Sequence, residues 1–189
     1  MDCVGLRRGS DTSLLGKKMV VWLIGLSGSG KTTLAQSLVD YLRKEGETVV
    51  HLDGDQCRQI WGDDLGFSLD DRRRNASRVT SLCEMLESQG FYVVCSILSI
   101  FEDSRELNRQ TYSRYYEVFL DVSLEQLRKR DSKGLYSSYE KGTIRNVVGL
   151  DIGFDLPRKP DLIIKNDKSL SDLLAYVPEI AEQLITDID

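Results

Sequence analysis

The sequence predicts an α/β fold, a five-stranded parallel sheet between two layers of helices, and three observations predict it. Short apolar runs alternate with amphipathic stretches along most of the chain, the rhythm of strands joined by helical crossovers. Phe91 to Leu98 is an almost uninterrupted apolar run, as a strand buried on both faces of a parallel sheet should be. Between the first apolar run and the first amphipathic stretch lies Gly25-Leu26-Ser27-Gly28-Ser29-Gly30-Lys31-Thr32. It fits G-x-x-x-x-G-K-[ST], the loop whose successive backbone N–H groups curl around a phosphate.

Taken in order, Met19 to Ile24 reads as a buried strand, and Thr33 to Lys44 as a helix with Leu34, Ala35, Leu38, Tyr41 and Leu42 on one face. Gly46 is a natural residue to end it. Thr48 to Leu52 is the second strand, running out in Asp53-Gly54-Asp55, and a polar connection follows through Gly62 and Gly66. Asp70 or Asp71 starts a helix whose apolar face is Ala76, Val79, Leu82, Cys83 and Leu86, closing at Gly90. Phe91 to Leu98 is the third strand. Glu102 to Tyr115 is polar and helical, Glu117 to Val122 is the fourth strand, and Ser123 caps a short helix from Leu124 to Arg130. Ser132 to Lys159 has no clear period and many charges, which marks it as a lid. Asp161 to Lys165 gives the last strand, and Ser169 to Ile185 the last helix, with a kink expected at Pro178.

Composition bounds what such a fold can do. With 189 residues, 41% apolar content and three prolines, the chain suits one domain over 18–189, carrying the lid at about 132–159. Residues 1–17 are expected to be a poorly ordered lead-in. A net charge of −5 argues against nucleic acid as a partner, while local basic clusters remain able to hold small phosphorylated ligands. Nothing resembles a membrane span, and no apolar stretch precedes Lys17 and Lys18 to act as a secretion signal, so a cytoplasmic location is expected. Cys3, Cys57, Cys83 and Cys95 form no C-x-x-C pair and are expected to be reduced, mostly buried thiols.

The candidate chemistry gathers at one edge of the sheet, where the strands' carboxyl ends lie. In the glycine loop Lys31 would reach the β- and γ-phosphate oxygens and the Thr32 hydroxyl would ligate Mg²⁺. Asp53 and Asp55 flank one glycine where the second strand ends; a kinase acting on a hydroxyl needs a carboxylate to accept its proton and a charge to steer Mg²⁺. The plainer alternative is an Asp-Gly turn with solvated carboxylates. The third strand ends at Ser96 to Ser99 without an aspartate, which moves the metal-organising task toward Asp53 or Asp55. Arg58, Arg72, Asn75 and Arg78 are spaced to converge, and arginine forks suit phosphate or sulfate oxygens. Arg73 and Arg74 read as charged helix surface. Phe67 is open between a core position and a base-stacking ring. His51, the single histidine, reads as a packed structural residue rather than a base.

These residues together resemble the adenylylsulfate kinase family. The resemblance rests on Gly25 to Thr33, on Leu52-Asp53-Gly54-Asp55-x-x-Arg58, on Asp64-Leu65-Gly66-Phe67-Ser68-x-x-Asp71-Arg72-x-x-Asn75-x-x-Arg78, and on Arg130-Asp131-x-Lys133-Gly134-Leu135-Tyr136. It spans residues 19 to about 167. It implies a P-loop kinase fold and transfer of the γ-phosphoryl group of ATP, with Mg²⁺, to the ribose 3′-hydroxyl of adenylyl sulfate. Carried across, Gly25, Ser27, Gly28, Ser29, Gly30, Lys31, Thr32, Thr33 and Arg130 would handle ATP, Asp55 would be the base, and Asp53 would help Thr32 with the metal. Arg58, Arg72 and Asn75 would hold the acceptor, Phe67 would stack on its base, and Lys133 with the lid would close over the phosphates. Ser99 matches the serine of the family's S-P-[YF] motif, proposed in some members to be phosphorylated in transit; direct in-line transfer is the simpler course, because a loose transition state needs position and charge. Small nucleotides are the partners implied, and a homodimer is compatible with the reading.

The chain departs from the family pattern on the acceptor side. Leu98-Ser99-Ile100-Phe101 stands where the family usually reads I-S-P-Y. Ser138 and Glu140 replace a lysine and an arginine of the lid, and Val147 replaces the second of two rings that would sandwich adenine. Two acceptors are therefore carried forward: adenylyl sulfate, and another activated nucleotide such as cytidine diphosphoramidate, whose smaller base would need only Phe67 beside Val147. A nucleotide-binding module without turnover is a third reading, opposed by the retained Lys31, Thr32, Asp53 and Asp55.

Overall fold

The computed structural model describes residues 18–62 and 64–186; the lead-in expected over 1–17, and Cys3 within it, lie outside the described residues. Five strands, β1 (Val20–Ile24), β2 (Val49–Asp53), β3 (Tyr92–Ser96), β4 (Tyr115–Asp121) and β5 (Leu162–Lys165), form one parallel sheet in the order β2-β3-β1-β4-β5. All five residues of β1 and all five of β3 are buried, because these strands lie inside the sheet and helices cover both faces.

Side chains alternate across a strand, so β1 feeds two cores. Val21 and Leu23 pack with Leu34, Leu38 and Leu42 of α1 (Lys31–Lys44) and Ile180 and Leu184 near the carboxyl end. Val20, Trp22 and Ile24 pack on the other side with Val79, Cys83, Val93 and Cys95. A smaller apolar group, Val122, Leu127 and Tyr136, lies between α5 (Leu124–Arg130) and α6 (Leu135–Glu140). Cys57, Cys83 and Cys95 are free, buried thiols, as expected.

Five expectations need correction. The connection after Asp53 is not wholly irregular: α2 (Gly54–Ile60) forms there, capped by the Asp53 carboxylate, which accepts from the N–H groups of Asp55 and Gln56. The long polar helix α4 (Glu102–Thr111) stops short of Tyr115, which already belongs to β4. The lid stretch contains α6, entered through Gly134 in a left-handed conformation (φ 63°). The carboxyl-terminal helix is two helices, α7 (Leu170–Leu174) and α8 (Val177–Ile185). Pro178 lies in the first turn of α8, where a missing N–H breaks no hydrogen bond, so it begins a helix rather than bending one. The remaining helix, α3 (Leu69–Ser88), starts one or two residues early because Ser68, not an aspartate, caps it.

Candidate active site

The glycine loop joins β1 to α1 and turns back on itself through a Ser29 N–H to Leu26 carbonyl hydrogen bond of 3.1 Å. Gly25 must be glycine because a Cβ there would lie 2.8 Å from the Leu120 carbonyl oxygen. Gly30 combines φ 97° with a hypothetical Cβ 2.9 Å from the Asn166 amide. Ser27, Gly28, Gly30, Lys31, Thr32 and Thr33 all face a cavity of about 420 Å³ at the carboxyl edge of the sheet. The amino terminus of α1 opens on it, which favours an anion there. Gly25 and Ser29 support the loop from behind; Ser29 is fully buried.

Lys31 donates to the carbonyls of Gly25 (2.8 Å) and Leu26 (2.9 Å). Burial, with the Lys133 ammonium adding to it, pushes its pKa down to about 8, against the opposing pull of Asp55 and Asp53. A phosphate has somewhere to pull it: the same cavity. Thr32 donates its hydroxyl proton to Asp53 Oδ2 at 2.8 Å. Asp53 is buried; although burial raises its pKa, hydrogen bonds from Thr32, the Asp55 N–H, Ser96 and the Gln56 N–H hold it below the usual carboxylate range. An ionised carboxylate beside a hydroxyl is an oxygen donor set suited to a hard cation. No cluster of three or more His, Cys, Asp or Glu side chains that could hold a metal exists among the described residues.

A second, smaller cavity of about 90 Å³ is lined by Arg58, Phe67, Arg72, Asn75, Ser99 and Phe101, among others. It meets the first at Gly54, Asp55, Ile97 and Leu98, which line both. Asp55 is therefore the carboxylate at the junction. It is exposed, and it forms an ion pair with Lys133, two residues before α6. Phe67 is 57% exposed, which settles its position in favour of an available ring. The guanidinium carbons of Arg58 and Arg72 lie 5.1 Å and 5.6 Å from its centre. Arg58 also donates to the Gly66 carbonyl (2.9 Å), and Arg72 to the carbonyls of Phe67 (3.0 Å) and Asn146 (2.9 Å). Asn75 is buried with its carbonyl oxygen unpartnered. Ser99 has φ 39°, an uncommon backbone for a residue with a Cβ, and its carbonyl accepts from the buried Arg105 at 2.6 Å.

Three residues singled out in the sequence are not brought into this arrangement. Arg78 forms a two-pronged pair with Asp64 (2.6 Å and 2.7 Å) and lines neither cavity, because Asp64 offers it both oxygens on the helix surface. Val147 is buried beneath a turn whose N–H groups, those of Asn146 and Val147, are held by the Asp151 carboxylate, so it presents nothing to the second cavity. Arg130 donates to the Asn166 carbonyl at 2.7 Å and does not line the first cavity. Glu140 pairs with Arg128 at 3.2 Å. Two contributors escaped sequence reading. Asn166, directly after β5, donates its amide to the Ser29 carbonyl at 2.9 Å, and Tyr136 of α6 donates its hydroxyl to the Ser27 carbonyl at 2.9 Å. The place of Asn166 at a strand's carboxyl end was a usable signal; Tyr136 gave none beyond its place in the motif.

Residues 17–165 match the family model described as adenylylsulphate kinase. A probable adenylyl-sulfate kinase of Aeropyrum pernix is 36% identical over 89% of this chain and 95% of its own length. A cytidine diphosphoramidate kinase of Campylobacter jejuni is 37% identical over 78% of this chain and 85% of its own. Among solved structures, the Mycobacterium tuberculosis APS kinase in complex with AMPPNP and APS superposes with a TM-score of 0.83 at 32% identity, over 90% of this chain and 99% of that one. Phosphate loop, sheet order and sequence agree, and the chain belongs to the adenylylsulfate kinase family of ATP-dependent phosphotransferases.

Proposed function

We propose that this protein transfers the γ-phosphoryl group of ATP to the ribose 3′-hydroxyl of adenylyl sulfate, giving 3′-phosphoadenylyl sulfate. The observation that carries the reading is the junction: a large polar cavity under the glycine loop and a smaller arginine-lined cavity share Asp55. In this reading Lys31 leaves the Gly25 and Leu26 carbonyls for the β- and γ-oxygens of ATP. Thr32, with Asp53 beside it, would hold Mg²⁺, which would supply neutralisation of the phosphate charge. Asp55, released from Lys133, takes the proton of the 3′-hydroxyl as its oxygen bonds to phosphorus and the bond to the β-phosphate oxygen breaks, leaving ADP. Arg58, Arg72 and Asn75 hold the acceptor's anionic bridge and Phe67 stacks on its base. Ser99 lines the acceptor side and needs no covalent part. Residues 18–189 act as one kinase domain, with 132–159 as the lid and Lys133 at its hinge end.

A second acceptor is favoured by a specific observation. Val147 stands where a second ring would stack and is buried away from the cavity, leaving Phe67 as the exposed ring there while Phe101, which also lines it, carries the Arg73 guanidinium at 4.0 Å, and the Campylobacter relative is a kinase of a cytidine nucleotide. Stacking on one ring contributes about 1 to 3 kcal/mol, so its loss narrows the preference for a purine. The test is an assay with Mg·ATP and either adenylyl sulfate or cytidine diphosphoramidate, with phosphorus NMR locating the new phosphate. A 3′-phosphate on adenylyl sulfate with the higher kcat/KM supports the leading reading. A preference for the cytidine acceptor above about tenfold, 1.4 kcal/mol, reverses it.

A further inference from the structure

His51 has no part in the reaction as described, yet it is one hydroxyl away from the phosphate site. It lies two residues before Asp53 on β2, so both side chains leave the strand on the same face. Ser96, at the end of β3, is the register partner of Asp53. His51 Nε2 is 2.9 Å from Ser96 Oγ, Ser96 Oγ is 3.1 Å from Asp53 Oδ2, and Thr32 Oγ1 is 2.8 Å from that same oxygen. Asp53 Oδ1 is meanwhile occupied by the N–H groups of Asp55 and Gln56.

The directions follow from counting protons. An ionised carboxylate only accepts, so Thr32 and Ser96 each spend their single hydroxyl proton on Asp53. Ser96 can then only accept from the histidine, which places the ring proton on Nε2. We infer that His51 is a positioning residue: through Ser96 it fixes the Asp53 oxygen that receives the Thr32 proton, and so keeps the Thr32 lone pairs turned toward the cation that accompanies ATP. This rests on the kinase reading of the site. Outer partners of metal-ligating groups typically change metal affinity tenfold or more when removed.

The test needs no acceptor, so refusal of adenylyl sulfate would defeat the proposed reaction and leave these measurements readable. ATP affinity is measured by calorimetry with and without Mg²⁺, and the gain that Mg²⁺ confers is compared between variants. His51→Leu should cut that gain by about tenfold. His51→Gln, which carries an N–H near the position of Nε2, should restore most of it. Ser96→Ala should match His51→Leu, and the double variant should lose nothing more, because both act through one chain of hydrogen bonds. Nitrogen NMR of the wild-type ring should show the Nε2–H tautomer. A ring protonated on Nδ1 alone, or an unchanged Mg²⁺ gain in Ser96→Ala, overturns the inference; the latter decides it even if His51→Leu does not fold. Equal loss in the glutamine and leucine variants overturns it as well, since that would be a packing effect.

Discussion

The two halves of the site are built differently. On the ATP side most of the groups are fixed before any ligand arrives: Asp53 is buried with both oxygens engaged and Asn166 holds the loop from behind, while Lys31 alone rests on two carbonyls that the proposed mechanism has it leave. On the acceptor side Phe67 and Asp55 are exposed, the arginines rest on carbonyls of a surface loop, and the cavity is about 90 Å³ against about 420 Å³. A nucleoside triphosphate needs a fixed cradle for charge, whereas under the proposed reading a hydroxyl acceptor would be enclosed only when residues 132–159 closed over it. In that reading the chemistry common to kinases is largely preorganised, and the choice of acceptor is left to parts that would still have to close.

The contrast can be broken most forcefully at the junction. Asp55→Asn should lower kcat by about 10² to 10⁴-fold while ATP affinity changes little, because a general base contributes in that range and Asp55 lies beyond the glycine cradle. ATP titration beside single-turnover kinetics would check this, and a kcat within threefold of wild type would remove Asp55 from the role. Phe67→Ala should raise the acceptor KM by about five- to 150-fold, the worth of one stacking contact, and leave the KM for ATP in place. A parallel rise in both would mean the halves are not separate. Asn166→Ala works in the opposite sense. It deletes the amide that holds the Ser29 carbonyl, and should weaken ATP binding by about fivefold, roughly 1 kcal/mol, with the acceptor KM unmoved.

The smallest effect sharpens the electrostatics. Burial and Lys133 lower the Lys31 pKa from 10.5 to about 8, so the folded, nucleotide-free protein binds fewer protons than the unfolded chain between those values. Stability therefore gains from this group as pH rises through that window, and its penalty is full below it. A bound phosphate reverses the shift, so ATP binding at pH 8.5 should take up as much as about one proton. Calorimetry in two buffers of different ionisation heat measures the uptake. No uptake would mean Lys31 is already fully charged in the empty site.

What the sequence made legible was local. The strands of the sheet and the phosphate loop could be read because an apolar run or a motif states itself within ten residues, and Asp53, Asp55, Arg58 and Phe67 were found beside it. The seven residues of α2 carry no apolar period, and what makes them helical is a cap from Asp53, a single contact rather than a pattern. Pro178 reads as a kink because its neighbours look continuous, although its position in the first turn makes it a start. Val147 was placed by alignment to a motif, and only the fold of the Asn146–Asp151 turn shows the side chain going inward. Asn166 and Tyr136 reach the loop from 137 and 109 residues away, distances at which neither composition nor period carries information.

The hydrogen bond from Tyr136 to Ser27 sets a limit on modularity. If residues 132–159 close as proposed, a cover tied to the very strap it closes over cannot be exchanged as a cassette. Grafting a relative's segment to redirect the enzyme to a new sugar alcohol would also tug on the triphosphate cradle, unless the transplant begins after Tyr136.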